Sequence, residues 1–140
     1  MKDLTNEITP KRVISPVSIA DTTAAVGQII DKKGFESVTY VIATGSIGDA
    51  DCTFTVLLEE SNDSGMSGAT AVADADLLGT EVLAAFQFDD DNECRKLGYI
   101  GAMRYTRLTI TPVANATAAL IAAVALLGHP MIKPTANPPA

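Results

Sequence analysis

The alternating segment at residues 104–111 constrains the fold of this chain more than any other feature. Its side chains alternate along the sequence, with Leu108 and Ile110 on one face and Arg107 and threonines on the other. A two-residue period of β-branched and aromatic side chains is typical of a half-buried strand. Pro112 cannot donate a ladder hydrogen bond, so we expect it to end this strand or to mark a sheet edge. The segment predicts a strand whose Leu108 and Ile110 face the core.

A second apolar run follows at residues 118–127, after a short connection of small residues that contains Asn115. Asn is compatible with a tight turn, so the two runs predict a β-hairpin whose second strand is apolar on both faces. Residues 116–127 are also rich in alanine, the best helix former, and local propensity therefore allows a helix there. We favour the strand because residues 105–111 need a partner and the connection is short.

The remaining patterns predict an all-β chain. Further strands are expected at residues 11–19, 24–30, 37–44, 52–60, 82–88 and 93–99, with a surface connection at 61–73 and one helical turn at 74–80 capped by Asp74. About eight strands with almost no helical pattern favour an antiparallel β-sandwich or barrel. A jelly-roll sandwich is preferred because the long 61–81 excursion allows a crossover between sheets. We expect an N-terminal arm at 1–10, a jelly-roll β domain at 11–129 and a Pro-rich tail at 130–140.

The charge and the apolar supply exclude several classes of partner. The formal net charge of −7 argues against nucleic acid, because phosphate binding needs clustered Lys and Arg side chains. The longest apolar run, residues 116–128, is shorter than the ~20 residues that a membrane helix needs. The charged first twelve residues contain no apolar stretch of the kind found in a secretory signal. The expected product is a single domain made in the cytoplasm, with no membrane and no nucleic-acid partner.

Acidic side chains supply the first candidates for chemistry, and each has a simpler interpretation. The cluster at 89–93 offers oxygen ligands for Ca²⁺, but it lacks the spacing of a calcium-binding loop, so a solvated turn is favoured. The Asp-x-Asp pairs at 49 and 51 and at 74 and 76 are interpreted in the same way. Glu59 and Glu60 are neighbours in a strand, where successive side chains point to opposite faces. They are therefore not expected to act as a facing acid/base pair.

The nucleophilic, metal-binding and basic side chains do not form a recognisable site either. His129 is the only histidine, it precedes a proline, and no Gly-x-Ser-x-Gly motif accompanies it. Cys52 and Cys94 with one histidine are too few for a structural zinc site unless a carboxylate joins them. Arg95, Lys96, Arg104 and Arg107 form a local basic patch, explained by solvated strand faces or by pairing with an acidic neighbouring subunit. The sequence predicts no catalytic, cofactor-binding or metal-binding residue and therefore no enzyme.

Several long stretches resemble the capsid cement (decoration) proteins encoded among the head genes of tailed bacteriophages. The similar stretches are KRVISPVSIAD at 11–21, GFESVTYVIATGSIGDADCTFTVLLEESNDSGMSGATAVADADLLGTE at 34–81, LGYIGAMRYTRLTITP at 97–112 and AAVALLGHP at 122–130. The resemblance implies a jelly-roll protein, dimeric with itself, on the outer capsid surface of the virion. There it would bridge neighbouring subunits of the major capsid protein and stabilise the shell, without a cofactor.

The alternative is a non-catalytic β-sandwich binding module of a phage particle, directed at a receptor or a carbohydrate. Sugar sites are typically built from exposed aromatic rings, and this chain has no Trp and three Tyr. An enzyme is the third possibility. Extended arms would suit a bridging protein, because an arm can lie across a neighbour or add a strand to its sheet.

Overall fold

The computed structural model describes residues 2–139, and these residues form mainly β-strands. Eleven strands, one short α-helix and two 3₁₀ turns lie within that range. The strands are β1 (Ile8–Ile19), β2 (Ala25–Val26), β3 (Ile30–Asp31), β4 (Phe35–Ile47), β5 (Thr53–Ser61), β6 (Thr70–Ala71), β7 (Leu77–Leu78), β8 (Phe86–Gln87), β9 (Cys94–Tyr99), β10 (Tyr105–Val113) and β11 (Ala119–Pro130). The helix α1 is Glu81–Ala84, and the 3₁₀ turns are Thr5–Glu7 and Asp74–Asp76.

Two antiparallel sheets pack face to face, which confirms the predicted β-sandwich. The first sheet has the order β1-β11-β4-β9-β7. The second has the order β2-β10-β5-β6, with β3 also pairing β10 and β8 also pairing β5. Alternate side chains of the long strands point between the sheets, because successive residues of a strand face opposite sides. Leu108 and Ile110 are fully buried there, as the period of residues 104–111 predicts.

Residues 119–130 form a strand rather than a helix, but the predicted hairpin is wrong. β10 pairs with β5 in the second sheet, whereas β11 lies between β1 and β4 in the first. The connection therefore crosses from one sheet to the other. Asn115 anchors this crossover, since its side-chain amide donates to the carbonyls of Ile19 and Asp21 at 3.1 Å each. Sequence period identifies a strand, but its partners are chosen by long-range packing.

Pro112 does not end its strand, but it lies where β10 has a neighbour on one side. Pro112 is the cross-strand partner of Phe54 in β5. On the other side, the pairing of β10 with β2 runs no further than Ile110 among the described residues. A residue without an N–H group fits such a one-sided stretch, and this agrees with the expected sheet edge.

The expected single strand at residues 24–30 is instead two short strands separated by residues 27–29, the first of which is Gly27. The amide of Gly27 donates to the carbonyl of Leu108 at 2.7 Å. A Cβ atom at this position would lie 2.5 Å from the same carbonyl oxygen. The close approach of the two backbones therefore requires glycine.

The segment around residues 74–88 differs most from the sequence prediction. Asp74 begins a 3₁₀ turn but makes no capping hydrogen bond. The capped helix is α1, in which Thr80 Oγ1 accepts from the amide of Leu83 at 3.1 Å. The strand predicted at 82–88 is therefore wrong for its first half, and only Phe86–Gln87 is extended. The carboxylate of Glu81 accepts the amide of Leu58 at 2.6 Å, so α1 closes part of the β5 edge in place of a strand.

The two ends of the described chain lie against each other. β1 begins at Ile8, which pairs with Gly128, so the expected arm boundary moves from residue 10 to residue 7. Thr135 donates from its amide to the carbonyl of Asn6 at 3.1 Å and from its hydroxyl to that of Ile8 at 2.7 Å. Lys133 pairs with Glu7 at 2.5 Å. The tail thus packs on the N-terminal segment instead of extending away from the domain.

Candidate functional site

Two buried hydrogen bonds connect the sheets through tyrosine hydroxyls. The Tyr40 hydroxyl lies 2.6 Å from Thr106 Oγ1, and both residues are fully buried. The Tyr99 hydroxyl donates to the Glu60 carboxylate at 2.5 Å. Burial raises the pKa of both phenols well above the ordinary value, and for Tyr99 the adjacent Glu60 carboxylate adds to the rise. Both tyrosines stay neutral hydrogen-bonding groups, and their role is to join the two sheets.

The neighbouring glutamates Glu59 and Glu60 point to opposite faces of β5, as predicted. Glu59 lies on the outer face and pairs with Arg107 at 2.9 Å. Glu60 points inward to Tyr99. The two carboxylates therefore serve separate contacts and do not form an acid/base pair.

The loops at one end of the sandwich contain a cluster of acidic side chains at residues 49–51 and 89–93. Asp91 Oδ1 accepts the amide of Ile47 at 2.8 Å, and Asp49 Oδ2 accepts the amide of Ala116 at 2.8 Å. Within residues 2–139, no group of three or more His, Cys, Asp or Glu side chains is arranged to hold a metal ion. These acidic side chains act as acceptors that fix the loops.

Asp49 and Asp51 are close enough to share a hydrogen bond, which shifts their pKa values in opposite directions. The amide of Ala116 is the main cause that lowers the pKa of Asp49. The hydrogen bond and the charge of Asp49 raise the pKa of Asp51. Asp51 is exposed and Asp49 is partly exposed, so the interaction of the pair has a local effect on this loop only.

His129 forms a pair with Ser37 that sequence reasoning did not predict. The two residues are 92 positions apart, and Ser37 Oγ lies 2.8 Å from His129 Nδ1. Ser37 sits within the regular part of β4, opposite Gly128. Among the described residues, no carboxylate is hydrogen-bonded to the His129 ring, and a catalytic triad needs such a group to orient the histidine. The pair acts as a cross-strand hydrogen bond on an exposed face.

The predicted basic patch is divided among separate ion pairs. Arg95 pairs with Asp90 at 2.7 Å and with Glu93 at 2.6 Å. Arg104 pairs with Asp31 at 2.7 Å. The second sheet holds Arg107 on its outer face, while Lys96 lies exposed on the first. The four basic residues therefore do not form one surface.

The two cysteines are free and lie in different environments. Cys52 is buried and Cys94 is exposed. Burial is the main cause that raises the pKa of the Cys52 thiol, which makes a thiolate less accessible there. Cysteines in or beside predicted strands are expected to be buried free thiols that pack as small apolar side chains, which is confirmed for Cys52 and wrong for the exposed Cys94.

The outer face of the first sheet is the most apolar exposed surface of the long strands. Leu120 and Val124 of β11 are 46% and 39% exposed, and they alternate with buried residues of the same strand. The register places Val124 beside Val41 of β4, and Ala122 beside Ala43. We call this surface the apolar face. It consists of Leu120, Ala122, Val124, Leu126, Val41 and Ala43.

The outer face of the second sheet differs in chemistry. It carries the Arg107–Glu59 ion pair and threonines that face each other across β5 and β10, such as Thr55 and Thr111. Its Leu57 lies opposite Thr109. The sandwich thus has one apolar and one largely polar outer face.

Comparison with known proteins gives no relative from which a function could be transferred. No family model matches the chain, and no curated protein matches it. None of the helices in the described part of the chain is long and apolar enough to cross a membrane. The function must therefore be argued from the surfaces of the sandwich.

Proposed function

We propose that this chain is a structural, non-enzymatic virion protein that binds the outer capsid surface. In this role it stabilises the shell by bridging neighbouring subunits of the major capsid protein. The observation that carries the proposal is the apolar face on the first sheet. The resemblance of residues 11–21, 34–81, 97–112 and 122–130 to capsid cement proteins supplies the identity of the partner.

The strand order supports the jelly-roll form of the sandwich. If β7 is set aside, and β2 with β3 and β6 with β8 are each taken as one interrupted strand, eight strands remain, and we name them B to I in chain order. In this scheme β7 is an addition at the edge of the first sheet. The sheets then have the orders B-I-D-G and C-H-E-F, an arrangement of two Greek keys. This connectivity is the one that the resemblance implies.

The apolar face supports a docking role because the side chains on the solvent-facing side of an antiparallel sheet are normally polar. Its central row runs from Val41 to Val124 across paired strands, and Leu120 lies on the same face of β11, four residues before Val124. Contiguous exposed apolar patches on soluble proteins mark interaction surfaces. Burial of such a patch stabilises a complex by about 25 cal/mol per Å² of apolar area before the entropic cost of association.

The resemblance also implies a homodimer. A dimer would present two apolar faces and could contact two capsid subunits at once. Multivalent attachment raises the apparent affinity without any new type of contact. The mass of the protein in solution, measured by light scattering after size exclusion, tests this part separately.

Co-sedimentation with purified capsid shells that lack the protein tests the proposal. Wild type should pellet with the shells, and Val124→Glu should stay in the supernatant because it places a charge in the centre of the apolar face. Thr53→Glu is the matched control, since Thr53 is exposed on the outer face of the second sheet. Both variants should melt at the temperature of the wild type.

Failure of the wild type to bind shells would refute the capsid function. Wild-type binding with an unaffected Val124→Glu would retain the function but move the contact away from the apolar face. An equal loss in Thr53→Glu would show that added negative charge, and not the face, controls binding.

A further inference from the structure

A groove with a positive rim lies between β1 and the residues around β3, in a chain whose net charge is −7. Its volume is about 520 Å³. Lys11 and Arg12 of β1 line one wall, and Lys33 of the turn after β3 lines the other. We call this feature the cationic groove.

The floor of the cationic groove is apolar. Ile30 and Leu127 are buried core residues, and Phe35 is partly buried against the same core. Ile29 contributes at the rim, where it is 38% exposed. A ligand in the groove therefore meets hydrocarbon below and positive charge at the sides.

Among the described residues that line the groove, Asp31 is the one carboxylate, and it is already neutralised. Asp31 accepts two hydrogen bonds from the Arg104 guanidinium, from Nε at 2.8 Å and from a terminal nitrogen at 2.7 Å. Such a bidentate pair is a strong and geometrically specific use of a carboxylate. With Asp31 paired to Arg104, Arg12 and Lys33 contribute the positive charge on which binding of an anionic ligand depends.

The rim cations retain donors for a ligand. Arg12 is exposed and uses one terminal nitrogen to donate to Ser15 Oγ at 2.8 Å, and its guanidinium has four further N–H groups. Lys33 is exposed, and its ammonium makes no hydrogen bond or ion pair to another residue in the range 2–139. Arg and Lys side chains on facing walls can engage carboxylates along an extended chain.

We propose that the cationic groove binds an extended acidic segment of a partner protein. An apolar side chain of that segment packs on Ile29 and Phe35, and flanking carboxylates pair with Arg12 and Lys33. The argument is charge complementarity together with the apolar floor. A small inorganic anion would satisfy the rim but leave the floor uncovered, and nucleic acid would meet the repulsion of an acidic chain.

This inference does not rest on the capsid function. The groove adjoins the apolar face, because Arg12 is the register partner of Val124. Lys33, Ile30 and Phe35 of the groove are not part of that face, so peptide binding can succeed where shell binding fails. If both hold, the acidic segment belongs to the capsid subunit or to another component of the particle.

Fluorescence anisotropy with labelled peptides tests the inference on the full-length protein. The probe is the hexapeptide Glu-Asp-Leu-Phe-Asp-Glu, and its controls are Gln-Asn-Leu-Phe-Asn-Gln, without charge, and Glu-Asp-Gly-Gly-Asp-Glu, without apolar side chains. We expect the Kd of the probe for the wild type to be at least about tenfold lower than the Kd of either control peptide. The affinity should fall as salt is added, because ions screen exposed charges.

Charge-reversal variants locate the site. Arg12→Glu and Lys33→Glu should each weaken probe binding by about tenfold or more. Lys96→Glu makes the same change of charge at an exposed position on β9 outside the groove, and it should bind like the wild type. If Arg12→Glu does not fold, Arg12→Gln removes the charge without adding a carboxylate. Backbone amide shifts of residues 28–33 on titration of the probe give an independent readout of position.

Three results would overturn the inference. The first is no probe binding to a folded wild type at millimolar peptide, and the second is equal weakening by Lys96→Glu. The third is self-association of the wild type, seen as a mass that rises with concentration and is abolished by Arg12→Glu. That outcome would assign the groove to the acidic end of a second copy and not to a partner segment.

Discussion

Replacing Tyr40 by Phe removes only the hydroxyl that joins the two sheets in the centre of the sandwich. The hydroxyl lies 2.6 Å from Thr106 Oγ1, and both residues are 0% exposed. Tyr40 belongs to β4 in the first sheet and Thr106 to β10 in the second. No water can replace the lost partner without entering a packed interior.

The expected cost follows from the polar group that is left behind. Tyr40→Phe leaves the Thr106 hydroxyl buried without its partner, which costs about 1–3 kcal/mol of unfolding free energy. Thr106→Val keeps the shape of the side chain but leaves the Tyr40 hydroxyl unpaired, at a similar cost of about 1–3 kcal/mol. The double variant has apolar groups on both sides, so its cost should be well below the sum. We expect a coupling energy of about 1 kcal/mol or more between the two positions.

Urea unfolding of the four proteins measures this cycle. The midpoints should shift without a change in slope, since the hydroxyl groups alter little of the area exposed on unfolding. If the unfolding free energy lost in the double variant equals the sum of the two single losses, the reasoning is refuted. Additivity would mean that each hydroxyl is satisfied independently. Single variants within about 0.5 kcal/mol of the wild type would also refute it, since an unpaired buried hydroxyl costs more than that.

Two further predictions test packing and charge. Leu108→Ala should lower the unfolding free energy by about 2–5 kcal/mol, because it empties a fully buried site; a loss below about 0.5 kcal/mol in urea melts would contradict the register of β10. The hydrogen bond from Arg104 lowers the pKa of Asp31 below its ordinary 3.8. This pair therefore stabilises the fold above pH 3.8, and the contribution is lost as the pH falls through the lowered folded-state pKa. Asp31→Asn should lower the unfolding free energy by less than about 1 kcal/mol at pH 7, since the Asp31 and Arg104 side chains are both more than a third exposed. The difference in stability between variant and wild type should vanish in melts below the lowered pKa of Asp31. A difference that stays constant from pH 7 to that pH would exclude the ion pair as its cause.

Local sequence determined the strands and the faces of the strongest ones. Residues 104–111 have a two-residue period that leaves Leu108 and Ile110 inside, and this period does not depend on which strand lies next to them. The 119–130 segment is different, since its β-branched and large apolar residues within the alanine run favour extension once the neighbouring strands β1 and β4 are present. The net charge of −7 likewise predicts, from the sequence alone, that nucleic acid is an unfavourable partner. Short patterns were less informative about secondary structure. Residues 81–84 form a helix whose first turn is capped by Thr80.

Only the tertiary structure decided which strands pair and which side chains meet. β10 and β11 are neighbours in sequence, yet they lie in different sheets, because β10 pairs with β5 along its whole length and β11 pairs with both β1 and β4. The candidate sites have the same origin. Ser37 meets His129 across 92 residues, and the walls of the cationic groove come from β1 and from the turn that follows β3. Sequence period is a property of neighbouring residues, whereas a surface or a site is a property of chain segments that packing brings together, and no local pattern specifies that contact.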